Sequence, residues 1–233
     1  MKKMAKVNGY NVEFEPAHEQ KLSRYSTTLN SKSIDFISLF SPRNIKTTLG
    51  LWGVWLMITL TYFGMVLILP FIFQRLKTLN PTEPKGSIAD IAFPIYFEIL
   101  ASLLASYLVE SKYIGRRLTI CTALFVSAFT SLLALIKPDF LFWSTFARAM
   151  LIISLTALYP FTLDLYPTPV RASGLAYATT IARIGLVVMP WIVFNMVTIG
   201  PKLPYLLFMF TAIIGMIFAS IIPQETQGKE LDQ

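Results

Sequence analysis

The sequence predicts an all-α membrane protein with six transmembrane helices. Hydrophobic residues make up 55% of the 233 residues and charged residues 14%, whereas about a quarter of an ordinary soluble domain is charged. Six apolar runs are long enough to cross a hydrocarbon core about 30 Å thick, which takes about 20 helical residues. Because these runs do not alternate polar and apolar residues as barrel strands do, we predict helical spans at 48–74, 91–109, 118–136, 140–163, 172–200 and 203–222.

Polar segments flank the predicted spans and join them. The six-span bundle is predicted over residues 46–222, between a polar tail at 1–45 and a short polar tail at 223–233. The connections "KPDF" and "GPK", after the third and fifth spans, are so short that their flanking helices should be antiparallel neighbours. Glycine and proline inside the spans are tolerated because neighbouring helices can satisfy the freed backbone groups.

The first span carries aromatic and hydroxyl side chains close to one helical face: Trp52, Trp55, Thr59, Tyr62 and Phe63. Such a face fits core packing, contact with lipid or the lining of a pocket. The later spans hold three ionisable residues, Glu98 in the second, Arg148 in the fourth and Arg183 in the fifth. Each costs roughly 2.5–3.5 kcal/mol at a helix centre on the insertion scale, so each should face protein or water. We interpret Arg183, Arg148, Glu98 and Tyr62 as candidate substrate-binding residues; a structural Arg–Glu pair is the alternative for Glu98 and Arg148.

Charge and cysteine content exclude several function classes. The formal net charge is +7, and the positive-inside rule accounts for it if both termini lie on the cytosolic or an equivalent side. That orientation puts thirteen Lys and Arg residues inside and five in the outside loops. The sequence has no basic stripe interleaved with exposed aromatic residues, so we predict no nucleic-acid partner. With one cysteine and one histidine, Cys121 and His18, the chain has no Cys or His cluster, so we expect no metal, no cofactor and no enzyme activity.

Acids and bases stand at the ends of the predicted spans. Glu110 ends the second span and Asp164 ends the fourth, whereas Arg116 and Arg117 begin the third and Arg171 begins the fifth. Helix ends prefer the opposite charges by about 0.3–1 kcal/mol, and the positive-inside rule explains the arginines but not the acids. We therefore predict that these acids and bases pair across helix ends as one network, the alternative being separate solvated loop charges.

Several motifs arrive in a recognisable order. They are "KMAKVNGYNV" at 3–12, "IGRR" at 114–117, "ARAM" at 147–150 followed by "DLYPTPVRASG" at 164–174, "ARIGLVVMP" at 182–190 and "PQETQGKEL" at 223–231. Together the chain resembles the C-terminal half of a major facilitator superfamily transporter, in the branch of the organic-ion transporters and synaptic-vesicle-glycoprotein-like proteins. Two positions depart from that pattern: Lys112 stands where the family usually has Asp, and Asp164 stands where the branch usually has Glu.

The resemblance implies a fold and a function. Family members have twelve spans in two halves, each half built from inverted three-helix repeats, with substrate bound between the halves. The six spans would then be one half of a major facilitator fold in a secondary-active transporter of a small organic solute. A base at the position of Arg183 implies an organic anion, and the resemblance implies a gate network of Glu110, Arg116, Arg117, Asp164 and Arg171.

The expected partners are membrane lipid, the solute, and either a complementary six-helix half or other membrane subunits. Alternating access needs two halves, so transport is expected only with that second half. The alternative is a non-transporting half-transporter that serves as a structural subunit of a larger membrane protein complex. Which membrane holds the chain is left open.

Overall fold

A computed structural model describes residues 40, 45–79, 88–110, 115–136, 140–166, 170–200 and 202–222. Within these ranges the chain forms six α-helices, each long and apolar enough to cross a membrane. They are α1 (Ile45–Leu79), α2 (Ile88–Glu110), α3 (Arg116–Ile136), α4 (Phe140–Leu165), α5 (Arg171–Ile199) and α6 (Pro204–Ile221). The predicted all-α class and all six spans are confirmed. The predicted tails, apart from Phe40 and Ile45, lie outside the described residues, as do the motifs at 3–12 and 223–231 and the departure at Lys112.

The helix bounds differ little from the predicted spans. The largest difference is in α1, which continues to Leu79, past the predicted end at residue 74. The added turn, "RLKTL", contains two basic residues and so lacks the apolar composition of a span, but Arg, Leu and Lys are strong helix formers. Helices also continue through internal prolines in α1, α2, α4 and α5.

Packing divides the six helices into a middle group and two flanking helices. α3 packs along α4 and α6, α1 packs along α5 and α6, and α1 also meets α4; α2 packs mainly on α4. The helices joined by "KPDF", α3 and α4, are neighbours as predicted, whereas those joined by "GPK", α5 and α6, barely meet, so that prediction is wrong. The same helix pairs remain in contact if α1 is exchanged with α4, α2 with α5 and α3 with α6. This is the pattern expected of two inverted three-helix repeats in half of a major facilitator fold.

Small residues bring the helices close together. The buried face of α5 includes Gly174, Ala178, Ala182 and Gly185, and a Cβ added at Gly185 would lie 3.0 Å from the side chain of Leu60 on α1. Within a bilayer, helix association depends on such van der Waals contact, because burying apolar surface brings no advantage over lipid. The small residues therefore set how closely α5 can approach α1.

Buried hydroxyl groups connect the middle helices. The indole of Trp55 on α1 donates a 3.0 Å hydrogen bond to the hydroxyl of Thr162 on α4, and the hydroxyls of Thr61 on α1 and Thr211 on α6 are 2.7 Å apart. Trp55 and Thr59 are both buried. Trp55 thus belongs to the packed core, which is one of the three alternatives given for the aromatic face of the first span.

The flanking helices α2 and α5 expose apolar side chains outward. The exposed residues of α2 include Leu103 and Tyr107, and those of α5 include Val187 and Trp191. These surfaces are available to lipid or to another protein.

Candidate functional site

Three side chains from three helices form a polar cluster within the spans: Tyr62 on α1, Glu98 on α2 and Arg148 on α4. The Tyr62 hydroxyl donates a 3.0 Å hydrogen bond to Oε2 of Glu98. Nη2 of Arg148 lies 2.5 Å from Oε1 of the same carboxylate. One carboxylate therefore joins α2 to both α1 and α4. We call these three residues the polar cluster.

The local sequence of α2 makes this contact possible. One turn and two turns after Glu98, the small residues Ala101 and Ala105 are buried against Ala149 and Ile153 of α4. Because alanines form most of this interface, the backbones can approach closely. The carboxylate of Glu98 is thereby held within reach of the Arg148 guanidinium.

The polar cluster is largely shielded from the surroundings. The side chain of Arg148 is 7% exposed and that of Glu98 is 14% exposed. Pairing offsets the cost of burying each charge. Chemically, Arg148 presents a planar donor that binds carboxylates well, but Glu98 already occupies it.

Tyr205 of α6 also lies in this region, so a fourth helix contributes to it. The sequence did not point to this residue. It lies in the first turn of α6, is fully buried, and is near Arg148 and Ser144 of α4. The signal that could have found it is a tyrosine placed directly after Pro204 in an otherwise apolar helix. Because that position reads equally well as an interfacial aromatic residue, the sequence does not reveal the contact.

Arg183 differs from Arg148 in its surroundings. It lies in α5 on the face opposite the small-residue face, and its side chain is exposed. Among the described residues it forms no ion pair or hydrogen bond. The structure therefore does not join Arg183 to the polar cluster by direct contact.

A second group of charges lies where α1, α3 and α5 begin and α2, α4 and α6 end, which we call the charged end. Here Arg116 at the start of α3 forms an ion pair with Asp164 near the end of α4. Nη2 of Arg117 donates a 2.6 Å hydrogen bond to the carbonyl of Ser220 on α6. The two arginines thus connect α3 to both neighbouring helices.

Two other residues of the predicted gate network have different surroundings. Nε of Arg171 lies 3.4 Å from the carbonyl of Tyr166, to which it donates. Within the described ranges Arg171 forms no ion pair with Asp164, and Glu110, which is exposed, pairs with none of the described bases. Within the predicted network, the structure therefore pairs Asp164 with Arg116 and not with Arg171.

Two glycines of the motifs shape the charged end. Gly115 of "IGRR" has φ 70°, a backbone conformation that favours glycine, and its carbonyl accepts bonds from the amide and hydroxyl of Thr119. Gly174 of "DLYPTPVRASG" faces the ring of Tyr166, and an added Cβ would lie 2.6 Å from that ring. The first glycine makes the turn into α3 possible, and the second leaves room for Tyr166.

Several curated proteins similar to this chain are named as transporters or candidate transporters. The chain is 30% identical over 221 residues to svop-1 of Caenorhabditis elegans, named as a candidate transporter, a match that covers 88% of this chain and 42% of svop-1. It is 29% identical over 229 residues to SVOPL of Mus musculus, also named as a candidate transporter, covering 85% and 45%. A niacin transporter of Acinetobacter baylyi is 26% identical over 206 residues, covering 86% and 46%. No family model matches the chain.

The chain is homologous to synaptic-vesicle-2-related and SVOP-like proteins, in the major-facilitator-like branch. Its six helices form half of a major facilitator fold in an integral membrane protein. The chain spans about half the length of the curated relatives it matches. Within such a half, the polar cluster and Arg183 lie in the transmembrane region, and the charged end is at the membrane boundary.

Proposed function

We propose that this chain is the C-terminal half of a secondary-active transporter of small organic anions, working with a complementary six-helix half. In this proposal Arg183 receives the carboxylate of the solute. The polar cluster of Tyr62, Glu98 and Arg148 lines the same cleft. The similarity to named transporters supports a transport function, and Arg183 supports a negatively charged solute.

The exposed position of Arg183 carries the proposal. A charged side chain at the centre of a span costs roughly 2.5–3.5 kcal/mol on the insertion scale if it faces lipid, so this face of α5 should meet water or protein. A guanidinium without an acidic partner among the described residues can bind a carboxylate through two parallel hydrogen bonds. A water-filled cleft between two halves meets both requirements, because it places water at this face of α5 and lets a carboxylate reach the guanidinium.

The niacin transporter among the relatives supports the same solute class. Niacin at neutral pH is a small aromatic carboxylate, which is the chemistry that Arg183 would bind. This relative is 26% identical, and we propose the class of small organic anions.

The charged end has a separate role in the proposal. Arg116 and Asp164 hold α3 to α4 there, while Glu110, Arg117 and Arg171 complete the gate network where the complementary half closes. We further propose that this end faces the cytosol or an equivalent compartment. Protease added from that side should remove the C-terminal tail at 223–233 from intact vesicles, whereas protection of the tail would overturn the orientation.

The test is solute uptake by the chain combined with its complementary half in proteoliposomes. Labelled nicotinate and benzoate should be taken up, and labelled tetraethylammonium should not. Arg183→Gln should abolish anion uptake. Lys46→Gln, which removes an exposed positive charge from the first turn of α1, is the matched control and should retain uptake.

The structural-subunit alternative makes the opposite prediction. In this alternative the six helices are a structural subunit of a larger membrane protein complex and bind no solute. Comigration of the native chain with a large complex, together with no flux of either anion, would establish that alternative and overturn transport.

A further inference from the structure

The sequence places only a few charges away from the helix ends. In the six helices these are Glu98, Arg148 and Arg183, since α1, α3 and α6 have no ionised residue in their central turns. The groups that face Glu98 are Arg148 from α4 and the neutral hydroxyl of Tyr62 from α1, and Tyr205 of α6 lies near Arg148. The mid-span region therefore has two positive charges and one negative charge.

Glu98 decides how many of those positive charges can bind a solute. Its carboxylate contacts Arg148 at 2.5 Å and leaves that side chain 7% exposed. Arg183, in contrast, is exposed and has no acidic partner among the described residues. A solute entering the cleft thus finds a single available positive charge.

The two arginines lie at depths that differ by about 8 Å. With a rise of 1.5 Å per residue, Arg183 is about 18 Å from the charged end along α5, and Arg148 is about 26 Å from it along α4. Both helices pack against α1 and contact each other. A second charge freed on Arg148 would therefore act on a solute bound at Arg183.

We infer that Glu98 makes the transporter selective for monovalent organic anions by neutralising Arg148. This inference rests on the proposed function, because it requires Arg183 and the polar cluster to line one cleft. A monocarboxylate bound at Arg183 brings the region to neutrality. A dicarboxylate brings a second negative charge that has no available cation, that must be desolvated, and that is repelled by the carboxylate of Glu98.

The experiment measures binding to the chain combined with its complementary half in lipid nanodiscs. The probes are benzoate and phthalate, which share an aromatic ring and carry one and two carboxylates near about pH 7.5. We expect the unmodified protein to bind benzoate at least about tenfold more tightly than phthalate. Equal affinities, or tighter binding of phthalate, would overturn the inference.

Substitution at Glu98 tests the residue itself. Glu98→Gln keeps the shape of the side chain and frees the charge of Arg148, so the affinity for phthalate should rise about tenfold relative to that for benzoate. Lys46→Gln is the control, since it removes an exposed charge from the first turn of α1, and it should leave the ratio unchanged. An unchanged ratio in Glu98→Gln would overturn the inference.

A double substitution guards against effects on folding. Glu98→Gln with Arg148→Gln restores a single positive charge and leaves no buried charge unpaired, so it should return the preference for benzoate. If the double variant prefers phthalate as Glu98→Gln does, the inference is wrong. Failure of the unmodified protein to bind either anion would instead overturn the proposed function, which distinguishes the two outcomes.

Discussion

At the scale of single residues, Glu98 and Arg148 are stable within the membrane because they are buried together. The two side chains are 14% and 7% exposed and form a short ion pair. Removing one partner of a buried pair leaves the other charge uncompensated, which typically costs about 3–5 kcal/mol. The pair is therefore a point at which a single substitution should have an unusually large effect.

A double-mutant cycle tests this coupling. Arg148→Gln should lower the free energy of unfolding by about 3–5 kcal/mol, because Glu98 then lacks its counter-ion. The double variant with Glu98→Gln should lose less than the sum of the two single variants. Unfolding by sodium dodecyl sulfate in mixed micelles measures these values, and additive losses would contradict the coupling.

Tyr166 offers a second residue-scale test, based on pH. It follows the last residue of α4 and is 1% exposed. Burial raises the pKa of its phenol above its usual value near 10.0, and the nearby side chain of Thr48 partly offsets this rise. The folded pKa is thus higher than the unfolded one, so the stabilisation is complete below about pH 10 and is lost as the pH rises toward the folded pKa.

Tyr166→Phe should remove that loss. We expect the unmodified protein to lose more stability than the variant between about pH 8 and about pH 11. Thermal unfolding in detergent at the two pH values gives the comparison. Other tyrosines contribute equally to both proteins, so equal losses would show that Tyr166 does not titrate as described.

At the scale of elements, the start of α5 depends on the small size of Gly174. An added Cβ would lie 2.6 Å from the ring of Tyr166, and this buried ring has little room to move. Gly174→Ala should therefore destabilise the protein by about 1–3 kcal/mol. Gly200→Ala is a matched control, because its Cβ would meet its nearest neighbour at an ordinary 3.7 Å. Similar unfolding temperatures for both variants would contradict this account.

The junction of α3 and α4 at the charged end makes another prediction. Arg116 begins α3 and Asp164 lies near the end of α4, so each charge occupies the helix end that the dipole disfavours. Exchanging the residues, Arg116→Asp with Asp164→Arg, keeps the pair and places both charges at favoured ends. The double exchange should be at least as stable as the unmodified protein, whereas each single reversal should be less stable.

Thermal unfolding of the three variants measures this difference. If the double exchange is as unstable as the single reversals, the pair is held by contacts other than its two charges. Retained stability together with lost transport would indicate that these positions are constrained by gating and not by folding.

At the scale of the whole molecule, composition determined much of what could be predicted. The apolar runs located all six helices because a span is defined by its length and polarity. The mid-span charges also pointed to the polar cluster, since charges in spans require partners. The sequence could not give the partner of each group: Tyr62 and Glu98 are 36 residues apart, and Trp55 and Thr162 are 107 apart. Such contacts depend on which helices pack together.

The partners within the predicted charge network could not be read from the sequence either. Arg171 and Asp164 are close in sequence, yet the structure pairs Asp164 with Arg116 and directs Arg171 to the carbonyl of Tyr166. The turn between them sets the direction of each side chain, and composition carries no information on that direction.

The separation of Glu98 and Arg148 along the chain has a consequence for biosynthesis. Because α2 is synthesised before α4, Glu98 reaches the bilayer about fifty residues before the base that neutralises it. During that interval an acid at a helix centre opposes insertion by roughly 2.5–3.5 kcal/mol. Chains truncated after α3 should therefore insert α2 poorly, as read by a glycosylation tag, and Glu98→Gln should restore insertion. Extension through α4 should also restore insertion of α2, because Arg148 is then present to neutralise Glu98. The stable insertion of α2 therefore depends on a helix that is synthesised later.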